Sequence, residues 1–297
     1  MIGAFFAATF PVFTMVVIGY LITRRSDLMR HPGMPMLTMQ IAMPALIMNS
    51  VISKATPLTE MLLLAGATAL CILIGASVVA ILCKLIKKPA TFYISTLVNP
   101  NTGNFGIPLV FALLGADALA AAVIISTAVT LSHFTLGVAA MTGRVNWRRL
   151  MINPPLLSLL IAASIVEVGF VVPAPLMRVF EMLAGVAQPM MLLLLGSSLA
   201  DLSIRNRREI GTLCMLSLFR PISGFLAAFV VAQSLDLEPL LALTLMLQMS
   251  MPVAVMSYLL TLKYNGPSQR IAALTISSMP TSLVVLALIY IFQAQLI

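Results

Sequence analysis

The chain has 297 residues, of which 61% are hydrophobic and only 9% are charged, with a net charge of +8. A soluble domain usually needs about 25% charged residues to keep its surface wet, so this composition excludes an ordinary soluble globule. The basic residues form small clusters between apolar runs, which argues against a nucleic-acid partner. The three cysteines show no CxxC spacing, and we expect neither a metal site nor a cofactor.

Apolar runs long enough to cross a bilayer as helices occupy most of the chain, since such a helix needs about 20 residues. Ten runs are predicted as spans 1 to 10: Ala4–Thr23, Met34–Ile52, Glu60–Leu82, Ala90–Leu114, Ala118–Met141, Pro154–Val172, Met177–Ala200, Ile210–Gln233, Pro239–Leu262 and Ile271–Phe292. The sequence therefore predicts an all-α polytopic membrane protein surrounded by the lipid bilayer.

The distribution of Lys and Arg predicts the orientation of the spans, because cytoplasmic loops collect basic residues. If the N-terminus lies outside, alternate loops hold all of the 17 basic residues except Lys54, Arg178 and Arg220. We therefore expect both termini to be extracytoplasmic and the protein to lie in a plasma or inner membrane.

An even division of the chain gives five spans in residues 1–148 and five in residues 149–297. An odd number of spans per half makes two homologous halves enter the membrane in opposite directions, which is an inverted repeat. Proline interruptions fall at corresponding places in the two halves: Pro44 in span 2 and Pro189 in span 7, then Pro108 in span 4 and Pro252 in span 9.

Span 4 carries an unusual interruption at residues 99–108, with three asparagines, two glycines and two prolines. Proline removes a backbone donor and glycine frees the backbone, and non-helical backbone at membrane depth is tolerated only where it is buried or lines a cavity. Span 9 is interrupted more mildly, between Gln248 and Pro252. Paired interruptions in two halves indicate a transport site, although a simple proline kink is the alternative for span 9.

The motif Asn101-x-Gly103-x-x-Gly106-Ile107-Pro108 resembles that of the auxin efflux carrier family. Weaker matches are Asn153–Pro154 and the segment from Pro189 to Gly196. The resemblance implies ten spans in two inverted repeats, a scaffold domain, a transport domain, and broken, crossing helices 4 and 9 that hold the substrate. It also implies a fold related to bile-acid symporters, and anionic substrates such as auxin-like monocarboxylates, malate or malonate.

A carboxylate inside a membrane needs hydrogen-bond donors and positive potential, and the N-terminus of a half-helix supplies both. Carboxamide side chains add further donors. The residues predicted to bind or shape the substrate site are Asn101, Asn104, Gly103, Gly106, Pro108, Gln248, Pro252, Gln40 and Pro44.

Two ionisable residues inside predicted spans have several interpretations. Arg220 in span 8 is either an anion ligand or gate, or a structural residue that snorkels to an interface or pairs with a backbone carbonyl. His133 in span 5 either carries a proton or packs as a neutral side chain. No Asp or Glu falls near the middle of a span, so a carboxylate-based proton or sodium site has no obvious residue.

The function predicted from these observations is secondary transport of small organic anions by alternating access. Proton-coupled symport of the same anions is the alternative, and a channel or scramblase is a weaker one. No HExxH, paired aspartate or GxSxG motif lies on a span, so we do not expect an enzyme. The sequence does not decide between a monomer and a homodimer.

Overall fold

The computed structural model describes residues 2–85, 87, 90–145, 147–202 and 210–296, and within these residues the regular secondary structure is helical. The predicted cytoplasmic residues Lys88, Arg205, Arg207 and Arg208 lie outside the described residues.

The main helices follow the predicted apolar runs in chain order. They are α1 (Ile2–Arg25), α2 (Gly33–Lys54), α3 (Leu58–Leu85), α4 (Thr91–Val98), α5 (Thr102–Leu114), α6 (Ala116–Thr142), α7 (Pro154–Glu167), α8 (Ala174–Asp201), α9 (Ile210–Ser234), α10 (Pro239–Met249), α11 (Val255–Lys263) and α12 (Ser268–Leu296). Among the described residues, 7 helices are long and apolar enough to cross a membrane: α1, α2, α3, α6, α8, α9 and α12. The chain is therefore a multi-helix membrane bundle.

The helices pack in two groups, and each group draws on both halves of the chain. In the first group, α1 lies along α8, and α2 packs against α7 and α8. In the second group, α9 packs against α3, α10 and α12, while α3 also contacts α6. Helix α5 contacts both groups, because it touches α6 on one side and α1 and α8 on the other.

Glycines bring the backbones of α1 and α8 into direct contact. A Cβ on Gly19 would collide with the carbonyl oxygen of Leu193, and a Cβ on Gly196 would collide with the carbonyl oxygen of Val16. Small residues allow this close approach of membrane helices, which are held together by van der Waals contact rather than by the hydrophobic effect. The packing of α1 on α8 thus depends on the absence of a side chain at Gly19 and at Gly196.

In the part of the chain that the structure describes, three helices contain a π-helical turn, a feature that often marks functional segments. The turns are Thr38–Ala42 in α2, Thr102–Gly106 at the start of α5, and His133–Gly137 in α6. Pro44 and Pro108 each follow such a turn by two residues. Each proline lacks the N–H that an α-helix would direct to the carbonyl four residues earlier, so the wider turn lies where that bond is missing.

We predict that Gly196→Val destabilises the protein by about 2 kcal/mol, because the added side chain forces the α1 and α8 backbones apart. The matched control is Gly185→Val on the same helix, where an added Cβ meets nothing within 4 Å. The apparent melting temperature in detergent, measured for both variants, checks the prediction. Equal melting temperatures would show that the α1–α8 contact does not need Gly196.

Candidate functional site

The two interrupted spans meet at their breaks. Helix α4 ends at Val98 and α5 begins at Thr102, while α10 ends at Met249 and α11 begins at Val255. The N–H of Asn101 donates to the carbonyl oxygen of Pro252 at 2.9 Å. Pro100 pairs with Val253 in an antiparallel bridge. The predicted interruptions therefore form one structural unit, the crossing, made of residues 99–101 and 250–254.

Four helix ends surround the crossing. The N-termini of α5 and α11 begin there, with Asn101 and Ala254 as the capping residues, and neither side chain caps its helix by a hydrogen bond. The first N–H groups of a helix have no intrahelical partner and carry the positive end of the helix dipole. Two helix N-termini at one place favour an anion there, as at other helix-terminus anion sites.

Polar side chains on α5 and α10 lie close to these helix ends. Asn101 is buried and Asn104 is half-buried, and each carries an amide that can donate two hydrogen bonds. Thr102 donates to the hydroxyl of Ser126 on α6 at 3.3 Å, and a Cβ on Gly103 would be in ordinary contact with the same hydroxyl. The predicted motif residues thus lie at one end of α5, beside α6.

Gln248 is completely buried and lies directly against Gly106. Its Nε2 is 3.5 Å from the carbonyl oxygen of Ala122, which is at the limit of a hydrogen bond. Its Oε1 has no hydrogen-bond partner among the described residues. A Cβ on Gly106 would collide with this Oε1, so the glycine makes room for the amide. A buried polar atom without a partner is costly, and it is the kind of group that a ligand or water satisfies.

Several polar residues near the crossing were missed by the sequence reasoning. The Ser278 hydroxyl on α12 accepts the N–H of Val253 at 2.9 Å. The Ser132 hydroxyl donates to Asn99, whose Nδ2 has no partner among the described residues. Ser257, in the first turn of α11, donates to the carbonyl oxygen of Ser95 at 2.9 Å. The only signal for these serines was their position in otherwise apolar spans.

His133 is buried beside this polar cluster. Its Nδ1 is 3.1 Å from the carbonyl oxygen of Val129, and its Nε2 is 3.5 Å from the hydroxyl of Ser257. The first of these contacts requires a hydrogen on Nδ1, because a carbonyl oxygen only accepts. The imidazole therefore links α6 to the N-terminus of α11, and a proton-carrying role stays a prediction.

Arg220 is only 1% exposed, although it lies inside α9. Its Nη1 donates to the carbonyl oxygen of Met249, the last residue of α10, at 3.2 Å. Its Nε and Nη2 have no partner among the described residues. A Cβ on Gly224 would collide with both the Met249 carbonyl and the guanidinium. Pairing with a backbone carbonyl is thus the structural interpretation that the geometry supports, and snorkelling to an interface is wrong for a side chain buried so completely.

Gln40 and Pro44 of the predicted site lie on α2. Gln40 is exposed and Pro44 is half-buried. The π-helical turn that contains Gln40 packs mainly against α7 and α8. A role for these two residues in substrate binding stays a prediction.

We predict that Gly106→Ala lowers stability by about 1–2 kcal/mol, because the new methyl group must displace the buried Gln248 amide. Gly103→Ala is the matched control in the same turn, since its Cβ would lie 3.5 Å from the nearest atom. In a Gln248→Ala background the penalty of Gly106→Ala should disappear, as a double-mutant cycle measures. An unchanged penalty in that background would contradict the contact between the two residues.

The comparisons with known proteins identify a family of membrane transport proteins. The profile of a family described as membrane transport proteins matches residues 4–145 and 138–290. A protein of Methanocaldococcus jannaschii named as an uncharacterized transporter is 25% identical over 197 residues, which cover 63% of each chain, so the similarity spans less than two thirds of the relative's length. The family match covers nearly the whole sequence, and it confirms the resemblance carried by the Asn101 to Pro108 motif: the chain belongs to the auxin efflux carrier-like family of membrane transport proteins.

Proposed function

We propose that the protein is a secondary carrier of small organic anions that works by alternating access, with its binding site at the crossing. The observation that carries the proposal is the hydrogen bond between Asn101 and Pro252, which holds the N-termini of α5 and α11 at one place. Broken helices whose ends converge on a midplane site are the usual way in which membrane carriers bind charged substrates.

The carboxylate of the substrate would accept hydrogen bonds from the first N–H groups of α5 and α11. The amides of Asn101, Asn104 and Gln248 would add donors, and Gly103, Gly106 and Pro108 would shape the break. Hydrogen bonds to a charged acceptor are roughly twice as strong as neutral ones. Asn104 is half-buried and Gln248 is buried. Because the side chain of Asn104 is more accessible, it would contact an entering anion before Gln248 does.

We further propose ten spans in two inverted repeats, residues 1–148 and 149–297. The antiparallel pairing of Pro100 with Val253 supports this arrangement, because the interrupted segments of two inverted halves must run in opposite directions. The two packing groups would act as the scaffold domain (α1, α2, α7 and α8) and the transport domain that contains the crossing.

Proton-coupled symport is a second candidate because of the position of His133. The imidazole lies within 3.5 Å of Ser257, in the first turn of α11. A proton bound there would place positive charge at the same helix end that would bind the anion. Such a proton would couple anion uptake to a pH gradient.

We predict that the purified protein in liposomes takes up carboxylates, assayed with radiolabelled indole-3-acetate, benzoate, malate and malonate. Asn101→Ala and Asn104→Ala should each lower the apparent affinity about tenfold or more, because each removes a hydrogen bond to a charged group. Saturable uptake measured at several concentrations, together with the melting temperature of each variant, separates lost binding from lost folding.

The matched control is Asn49→Ala, which changes a half-buried asparagine on α2 and should leave the affinity unchanged. An apparent affinity equal to that of the wild type in both Asn101→Ala and Asn104→Ala would show that these residues do not bind the substrate. Uptake that follows a pH gradient, and loses this dependence in His133→Gln, would replace the uncoupled carrier with the proton symporter.

We also propose that both termini are extracytoplasmic in an inner or plasma membrane. The basis is the enrichment of basic residues in alternate loops. Green fluorescent protein fused after Ile297 should stay dark and alkaline phosphatase fused there should be active, while the reverse is expected for fusions after Arg144. Cytoplasmic fluorescence from the fusion after Ile297 would contradict this topology.

A further inference from the structure

The buried guanidinium of Arg220 lies beside the crossing, and the anion-carrier function proposed above gives it no role. Arg220 is the eleventh residue of α9, so it lies about 15 Å along the helix at a rise of 1.5 Å per residue, near the middle of its 25 residues. Its side chain is 1% exposed. A charge at this depth of a membrane protein is expensive and usually has a function.

No carboxylate in the described part of the chain neutralises Arg220. The ion pairs found there join Arg30 with Asp27 and Asp201, Lys54 with Glu60, and Arg178 with Glu181. The partner that Arg220 does have is the carbonyl oxygen of Met249, at the C-terminus of α10. This helix end carries a partial negative charge, which offsets the guanidinium only in part, so a net positive charge remains.

The guanidinium of Arg220 is hydrogen-bonded to the interrupted span itself. Arg220 binds the residue that ends α10, and Met249 directly precedes the crossing segment 250–254. Gly224, one turn further along α9, allows the α10 terminus to approach this closely. Whichever side of the membrane the crossing faces during transport, the charge of Arg220 therefore accompanies it.

We propose that Arg220 is the fixed countercharge of the carrier: it neutralises a singly charged organic anion bound at the crossing and leaves the empty carrier positively charged. The inference rests on the proposed function and adds a substrate class to it. A loaded carrier with one anionic charge moves no net charge across the membrane. A bound dianion leaves one negative charge, so the membrane potential acts on its transfer.

The membrane potential then acts on the empty carrier rather than on the carrier loaded with a monoanion. One charge that crosses 100 mV changes an equilibrium about fifty-fold. A negative interior would draw the positive, empty carrier inward. Net export of a monoanion is accelerated by this return step, although the loaded step itself is insensitive to voltage.

The test is tracer exchange in proteoliposomes with equal indole-3-acetate on both sides, at 0 and −100 mV set by potassium and valinomycin. At saturating concentrations the carrier is nearly always loaded, so exchange uses only the loaded step and the wild-type rate should be the same at both potentials. Arg220→Gln should slow several-fold at −100 mV, because its loaded form is negative. Arg220→Lys keeps the charge, so its exchange rate should be the same at both potentials whatever its absolute value. Arg178→Gln, which removes an exposed charge, should behave like the wild type.

The countercharge role of Arg220 is overturned if wild-type exchange slows at −100 mV. It is also overturned if Arg220→Gln exchange does not slow at that potential. If Arg220→Gln does not fold, the exchange of malonate by the wild-type protein tests the proposal instead. A malonate exchange rate that falls several-fold at −100 mV supports the proposal. A malonate exchange rate that depends on voltage no more than that of indole-3-acetate overturns it. Absence of saturable flux for every anion overturns the carrier function itself, which is a different result from voltage-sensitive exchange.

Discussion

The hydrogen bond between the Asn101 N–H and the Pro252 carbonyl oxygen meets a constraint that the rest of the structure depends on. Backbone polar groups at membrane depth must be satisfied within the protein, because lipid offers no partners. Two broken helices that face lipid separately would each leave unpaired groups. At the crossing, backbone groups of the two segments hydrogen-bond to each other. A serine of a surrounding helix also contributes, because the Ser278 hydroxyl accepts the N–H of Val253. The break in α4–α5 therefore requires the break in α10–α11.

At the crossing, the backbone polar groups are better supplied with hydrogen-bond partners than the polar side chains are. Asn99, Gln248 and Arg220 each have a buried polar atom without a partner among the described residues. Each such atom costs roughly 1–3 kcal/mol, and more when the group is charged. A structure that needed these residues only for stability would do better with apolar side chains of similar size. Under the function proposed here, these unpartnered groups near the crossing would be available to a charged ligand.

The sequence predicted the location of the crossing but not its internal contacts. The density of Asn, Gly and Pro at residues 99–108 marked the break because these residues cannot form an ordinary lipid-facing helix, and the apolar runs predicted the helices because about 20 apolar residues suffice to cross a bilayer. The contact of Gly106 with Gln248 and the bond from Arg220 to Met249 join residues that are far apart in the sequence. Such pairs depend on tertiary packing, for which one sequence carries no local signal.

The charges around the crossing follow a consistent electrostatic pattern. The C-terminus of α10 carries the negative end of a dipole and binds a permanent cation, Arg220. The N-termini of α5 and α11 carry the positive ends, and no side chain of their capping residues neutralises them. The negative helix end is thus already occupied, while the positive ends are available. Under the function proposed here, such an arrangement would bind an anion without a mobile cation, because the positive charge that a bound cation would supply is covalently part of α9.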